Sequence, residues 1–205
     1  MIYLPKATLE RLKMYKKVLE SVRKEYISSE EIAQILAINP ELVRKDLSYL
    51  KTHGKPKMGY LVSELKKELD DLFGVNDFTP MVVVGANFLG KALATYKPFE
   101  RAGVKVVAIL DTDERNVGER VEDFVVREIG ALERVVRRFK VEICALCVSP
   151  DAAQETAQKL IELGVKVIWN FTGVRLSVPE DVLVVDEDFS TRVLDMKRYL
   201  LSRKK

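Results

Sequence analysis

An apolar run at residues 81–84 leads without a break into Gly85-Ala86-Asn87-Phe88-Leu89-Gly90 and then into a helical stretch. Few folds accept that arrangement. Consecutive apolar residues suit a strand covered on both faces in a parallel sheet. A glycine-bearing turn that opens a helix is where such sheets hold an anionic group against backbone N–H donors. Similar apolar runs recur at 104–110 and 141–148, with shorter ones at 165–169 and 182–185. Helical patterns at 131–139 and 151–163 lie between them. The alternation predicts an α/β, Rossmann-type doubly wound parallel sheet over residues 75–205.

Within the turn, Gly85 suits the tight bend and Gly90 the close packing of helix on strand. Asn87 stands where a dinucleotide fingerprint has its middle glycine, and its side chain is expected to obstruct the pyrophosphate or shift its pose. Asp111 ends the second strand, 21 residues after Gly90. That is the place of the acid that bonds adenosine ribose hydroxyls and favours NAD over NADP, because a carboxylate repels a 2′-phosphate. Asp113 is a second candidate. Cys144 and Cys147 fall inside an apolar strand and read as core residues rather than a redox pair. Trp169 and Phe171 read as packing residues. The stretch 189–201 spreads Val193, Leu194, Met196, Leu200 and Leu201 around a helix, which suggests burial against a partner subunit.

The front of the chain follows another pattern. Leu9, Leu12, Tyr15, Leu19 and Val22 predict a helix over 5–25. Ser28 three residues before Glu31 fits a capping box, and Asn39-Pro40 ends one helix and begins the next. That next helix, residues 41–50, turns Val43, Leu47 and Leu50 one way and leaves Arg44, Lys45 and Ser48 on other faces. A tight turn between two such helices is a helix-turn-helix, whose second helix enters the DNA major groove. Residues 51–60, with Lys55, Lys57 and three turn-forming Gly or Pro residues, read as a hairpin wing along a phosphate backbone or minor groove. Residues 61–74 read as an amphipathic connector, so that residues 1–74 form the DNA-binding domain. The bland alternative is a three-helix packing or dimerisation module with solvated lysines.

Charge separates the same two parts. Residues 1–60 hold 12 Lys/Arg against 7 Asp/Glu, whereas the rest hold 22 against 24, inside a total of +3. A basic front points to nucleic acid or an anionic surface. A thermophile-like surface would explain the abundance of charge but not its placement. The single histidine and two cysteines argue against a structural zinc site and a disulfide scaffold. The amino-terminal stretch MIYLPKATLERLK carries charge too early for a signal-peptide core, and no apolar run is membrane-length, so a cytoplasmic location is expected.

Several blocks in order give the chain a resemblance to the Rex family of bacterial redox-sensing repressors over essentially its whole length. They are Ser28-Ser29, the segment VRKDLSY at 43–49, HGK and GY across the wing, and the turn followed by Lys91-Ala92-Leu93. Tyr96 with Phe99, the strand end at Asp111, NFT and VRL within 170–176, and Val185-Asp186 complete them. The resemblance implies a homodimer of winged-helix and Rossmann domains with a domain-swapped last helix. It implies binding to double-stranded palindromic operator DNA when NADH is low and release on NADH binding, with NAD⁺ competing. By position it places Ser29, Arg44, Lys45, Ser48, Lys55, Lys57 and Tyr60 at DNA, Tyr96 near the nicotinamide, and Lys17 and Asp186 in an interface switch. Three departures stand out: Asn87 and Phe88 replace Gly and Asn, Lys17 replaces Arg, and Lys55-Pro56-Lys57 replaces Lys-Arg-Gly. The alternatives are a related DNA-binding regulator that does not respond to NADH and an NAD-dependent oxidoreductase. The latter would need a proton donor at the nicotinamide and a substrate domain.

Overall fold

In the computed structural model, which describes residues 4–203, the chain divides into two compact units, Met1–Asp77 and Phe78–Lys205. Residues 1–3 of the charged amino-terminal stretch lie outside the described residues.

The first unit runs α1 (Lys6–Ser21), β1 (Tyr26–Ile27), α2 (Ser29–Leu36), α3 (Pro40–Leu47), β2 (Tyr60–Leu61) and α4 (Val62–Leu72). Leu12, Tyr15, Val18 and Leu19 recur at helical spacing on α1. They pack with Ile32, Ala33, Val43, Leu47, Leu65 and Leu69 into one core. The helix expected to reach residue 25 ends at Ser21, because Val22 turns to extended backbone and the chain runs on to β1. The predicted hairpin is shorter than the sequence suggests. Lys55 and Gly59 form one antiparallel bridge, while β2 pairs with β1 instead of with a strand of its own hairpin.

The second unit contains β3 (Thr79–Val84), α5 (Phe88–Ala94), α6 (Pro98–Arg101), β4 (Val104–Asp111), β5 (Arg120–Val121), β6 (Phe124–Val125) and β7 (Arg127–Glu128). It continues with α7 (Leu132–Phe139), β8 (Ile143–Leu146), α8 (Pro150–Glu162), β9 (Val167–Asn170), β10 (Leu183–Asp186) and α9 (Phe189–Ser202). Six strands form a parallel sheet in the order β10-β9-β8-β3-β4-β7. Counted along the chain within that sheet, the order is 6-5-4-1-2-3, the doubly wound dinucleotide-binding topology with its reversal between β3 and β8. The apolar runs are explained by two covered faces. Val82 and Val84 face a core with Leu132, Val136, Ala157 and Leu160, whereas Met81 and Val83 face one with Ala94, Val106 and Ile109. Cys144 and Cys147 are free thiols and buried. Burial pushes the Cys147 thiol up to about 12 and the Cys144 thiol well above its ordinary value, so neither ionises near neutrality.

Candidate DNA-reading surface and nucleotide groove

On α2, the Ser28 hydroxyl accepts the Glu31 N–H at 3.1 Å, and the Glu31 carboxylate accepts the Ser28 N–H at 2.9 Å, closing the capping box. The Asn39 side chain accepts the Glu41 N–H at 2.8 Å with Pro40 in the first turn of α3. These caps fix where α3 starts, and the buried Val43 and Leu47 fix its roll. Arg44, Lys45 and Ser48 are left exposed. Here α3 ends at Leu47, three residues before the expected end. Ser48 is its C-cap, and the Ser48 hydroxyl donates to the Lys45 carbonyl at 2.7 Å.

Arg44 is held in place by its neighbours. Its guanidinium donates to the Ser29 hydroxyl at 3.1 Å and to Glu30 at 2.6 Å. Ser29 is buried, with its hydroxyl engaged by Arg44 and Glu30 rather than open to a phosphate. On the wing, Lys55 donates to the Tyr26 hydroxyl at 3.1 Å and sits over the Tyr26 ring. Lys57 is exposed at positive φ, and Tyr60 is half-buried with its ring beside Gly54. Glu68 of α4 accepts N–H groups of Lys51 and Thr52 and so pins the base of the wing.

A residue that the sequence reading did not single out holds this surface together. Asp46, on the inner face of α3, is 1% exposed and accepts four hydrogen bonds from α1. Arg11 donates Nε at 2.5 Å and Nη2 at 2.7 Å, the Tyr15 hydroxyl donates at 2.7 Å and the Thr8 hydroxyl at 3.1 Å. Burial pushes this carboxyl up, but the bonds from Arg11, Tyr15 and Thr8 outweigh burial and hold it below its ordinary value. The sequence signal was present: Thr8, Arg11 and Tyr15 lie along the face of α1 that also carries Leu12 and Leu19.

In the second unit, the turn lies at the sheet's reversal point. Gly85 has φ +106°, and a Cβ there would meet the Cys147 backbone at 2.4 Å. A Cβ on Gly90 would fall 1.8 Å from the Gly85 carbonyl, so these two glycines are sterically required. Asn87 is not. Its backbone is extended, at φ −71° and ψ −179°, and its side chain folds into the turn. The side-chain oxygen accepts the Gly90 N–H at 2.9 Å, and the amide donates to the Cys147 carbonyl at 2.7 Å. Both polar ends of Asn87 are thus committed to the protein. The Phe88 and Leu89 N–H groups, in the first helical turn, have no intrahelical acceptor and suit an anionic ligand.

Beside this turn lies a groove of about 450 Å³ that includes Ala86, Phe88, Lys91, Asp113, Arg115 and Asn116. Asp111, the sequence's first choice for a ribose ligand, is 6% exposed and faces inward. Its carboxylate accepts the Ala86 N–H at 2.6 Å, the Asp113 N–H at 2.8 Å and the Asn116 amide at 2.9 Å. Asp113 opens on the groove and is paired with Arg115 at 2.6–3.0 Å, which draws its carboxyl down to about 2.

Tyr96 follows α5 and is exposed, with its ring edge-on to Phe99 at 5.0 Å. Phe99, Trp169 and Phe171 continue the aromatic contacts at 5.8 and 4.7 Å. Asp186 ends β10, is exposed and accepts the Asn170 amide at 2.7 Å. Lys17, in the other unit, is exposed on α1. On α9, Phe189, Leu194, Met196, Tyr199, Leu200 and Leu201 are each more than half exposed.

Comparison with known proteins agrees with both units. Residues 3–48 match the family model described as "Putative DNA-binding protein N-terminus", and residues 76–174 match the model "CoA binding domain". The chain is 60% identical to the redox-sensing transcriptional repressor Rex 2 of Thermotoga maritima, over 98% of each chain. It is 38% identical to the redox-sensing transcriptional repressor Rex of Treponema denticola, over 85% of this chain and 83% of that one. Among solved structures it is similar to RSP, a Rex-family repressor crystallised with beta-NAD⁺ and operator DNA. That match has a TM-score of 0.91 at 30% identity, over 100% of this chain and 95% of the other. The RSP complex with beta-NADH matches with a TM-score of 0.87, over 100% and 97% of the two chains. The chain belongs to the Rex family of redox-sensing transcriptional repressors.

Proposed function

We propose that the protein is a homodimeric repressor that binds palindromic operator DNA when NADH is scarce and releases it when NADH occupies the Rossmann groove, with NAD⁺ competing. One observation carries the reading. A helix pair exposing Arg44 and Lys45 and a Gly85/Gly90 turn at a sheet reversal point are built into one chain. Residues 1–74 serve as the DNA reader with its connector, and residues 75–205 as the nucleotide and dimer module.

In the reader, Arg44, Lys45 and Ser48 reach base edges or phosphates from α3, with Ser29 holding Arg44. Lys55, Lys57 and Tyr60 follow the backbone from the wing. In the sensor, the first-turn N–H groups of α5 and the inward cap of Asn87 leave room for the pyrophosphate. Tyr96 lies toward the nicotinamide. Bound NADH supplies a ligand whose redox state reports the NADH/NAD⁺ balance. The dimer reading is supported by α9, on which Phe189, Leu194, Met196, Leu200 and Leu201 are each more than half exposed. We place this helix, swapped, on a second copy, with Lys17 and Asp186 facing across the interface.

The signal requires NADH to favour the DNA-incompetent state. Moving a population from 99:1 to 1:99 takes roughly a 10⁴-fold difference in affinity, about 5.5 kcal/mol. No turnover is part of the proposed function, in keeping with the relatives it matches, which are named as transcriptional repressors. Among the described residues no helix is long and apolar enough to cross a membrane, and the cytoplasm, where NADH and operators meet, is the proposed location.

Trp169, the single tryptophan, supplies a test. NADH titrated into the full chain quenches its emission and, over the same concentrations, lowers the anisotropy of a labelled operator. Quenching without release would contradict repression by NADH, and release without quenching would contradict the site.

A further inference from the structure

The DNA-reading surface carries an acid beside its arginine, where phosphates would favour bases alone. Glu30, in the first turn of α2, accepts a hydrogen bond from Arg44 Nη1 of α3 at 2.6 Å. The same Nη1 donates to the Ser29 hydroxyl at 3.1 Å, and that hydroxyl donates to the other Glu30 oxygen at 3.2 Å. The three groups close a triangle. Ser29 is 6% exposed and anchors it, whereas the Arg44 and Glu30 side chains are 48% and 63% exposed. Both Nη1 hydrogens are therefore engaged within the protein. Among the described residues none accepts from Arg44 Nε or Nη2. Those two donors form the side-on fork that matches guanine O6 and N7.

We infer that Glu30 sets the sequence specificity of the DNA reader by acting through Arg44; the inference rests on the DNA-binding reading given above. An untethered arginine on an exposed helix face bonds whichever phosphate lies nearest, and phosphate contacts carry no sequence information. Held at Nη1, the guanidinium keeps its remaining fork in one orientation set by α2 and α3. It then bonds well only where a base edge places two acceptors opposite that fork. A phosphate that pulls the guanidinium out of the triangle must displace the Glu30 carboxylate, so one anion contact replaces another. Glu30 thus lowers affinity for unrelated DNA more than affinity for the operator. It is a positioning residue and touches no base itself.

Binding of the full chain to two duplexes of equal length tests this. One is a duplex that the natural chain selects from a random-sequence pool, and the other is a scrambled version of it. Glu30→Ala strengthens binding to the scrambled duplex and lowers the preference for the selected one at least about threefold, the size expected when an exposed ion pair is lost. With Arg44 free to meet a phosphate, the slope of log affinity against log salt on the scrambled duplex steepens by about 0.9. In an Arg44→Ala background Glu30→Ala leaves the preference unchanged. A preference that falls by less than about threefold would overturn the assignment. So would equal weakening of both duplexes with a lower Tm, the mark of a purely structural role, or a loss of preference that persists without Arg44. Failure of the natural chain to select any duplex would instead sink the DNA-binding reading, a result separable from an unchanged preference.

Discussion

Single residues show where chemistry and position part company. The sequence gives the type and spacing of Asn87 and Asp111 but not the direction in which each side chain turns. Asn87 has the two polar ends needed to bridge the Gly90 N–H and the Cys147 carbonyl. That second partner is 60 residues away and becomes adjacent only through the β3–β8 pairing. Replacing such an N-cap by glycine costs about a few tenths of a kcal/mol, and the bond to the Cys147 carbonyl is lost with it. Asn87→Gly is accordingly expected to lower the Tm and leave NADH affinity no higher, as calorimetry would show. A clear gain in affinity would mean that the side chain had obstructed the groove. Asp46 is the second case. Its carboxyl is held below the ordinary value, so its stabilising effect is complete above the pKa of an unfolded aspartate and is lost as pH falls through the lower folded value. Asp46→Asn removes the charge that Arg11 faces and should cost roughly 3 kcal/mol or more. Urea unfolding near neutral pH measures that loss, and the variant's stability should fall less on acidification than that of the natural chain.

At the scale of elements, legibility followed length and period. Strands β3 and β4 and helices α7 and α8 are long enough to show their pattern, and the capping box and Asn39-Pro40 marked their helix starts. Strands β5, β6 and β7 have two residues each, too few to display any alternation. The wing misled for a related reason. Its turn residues are local, but the partner of β2 is β1, more than thirty residues earlier in the chain. On α3, Arg44 is presented already oriented by Ser29 and Glu30. Arg44→Ala should cost about 1–3 kcal/mol on the operator if the guanidinium reads a base edge, with a smaller loss on unrelated DNA. An equal loss on both would make it a phosphate contact. Helix α9 carries the dimer prediction. Charged substitutions at Leu194 and Leu200, both exposed, should drive the protein to monomer in sedimentation while leaving the apolar core of the sheet intact.

The whole molecule is legible as two partners for two charges. The net of +3 conceals a front with 12 Lys/Arg against 7 Asp/Glu and a back with 22 against 24. The basic front makes operator affinity fall with salt, as phosphate contacts displace counterions. The back carries the Gly85/Gly90 turn and, at the groove beside it, the Asp113–Arg115 pair. Neither half regulates alone; repression that answers to redox state needs the nucleotide to prefer one state of the protein over the other. An operator titration at fixed salt, repeated with saturating NADH and with NAD⁺, measures that preference directly. NADH is expected to weaken operator affinity by orders of magnitude, while NAD⁺ leaves it near its unliganded value and opposes NADH. Operator affinity unchanged by millimolar NADH would contradict it.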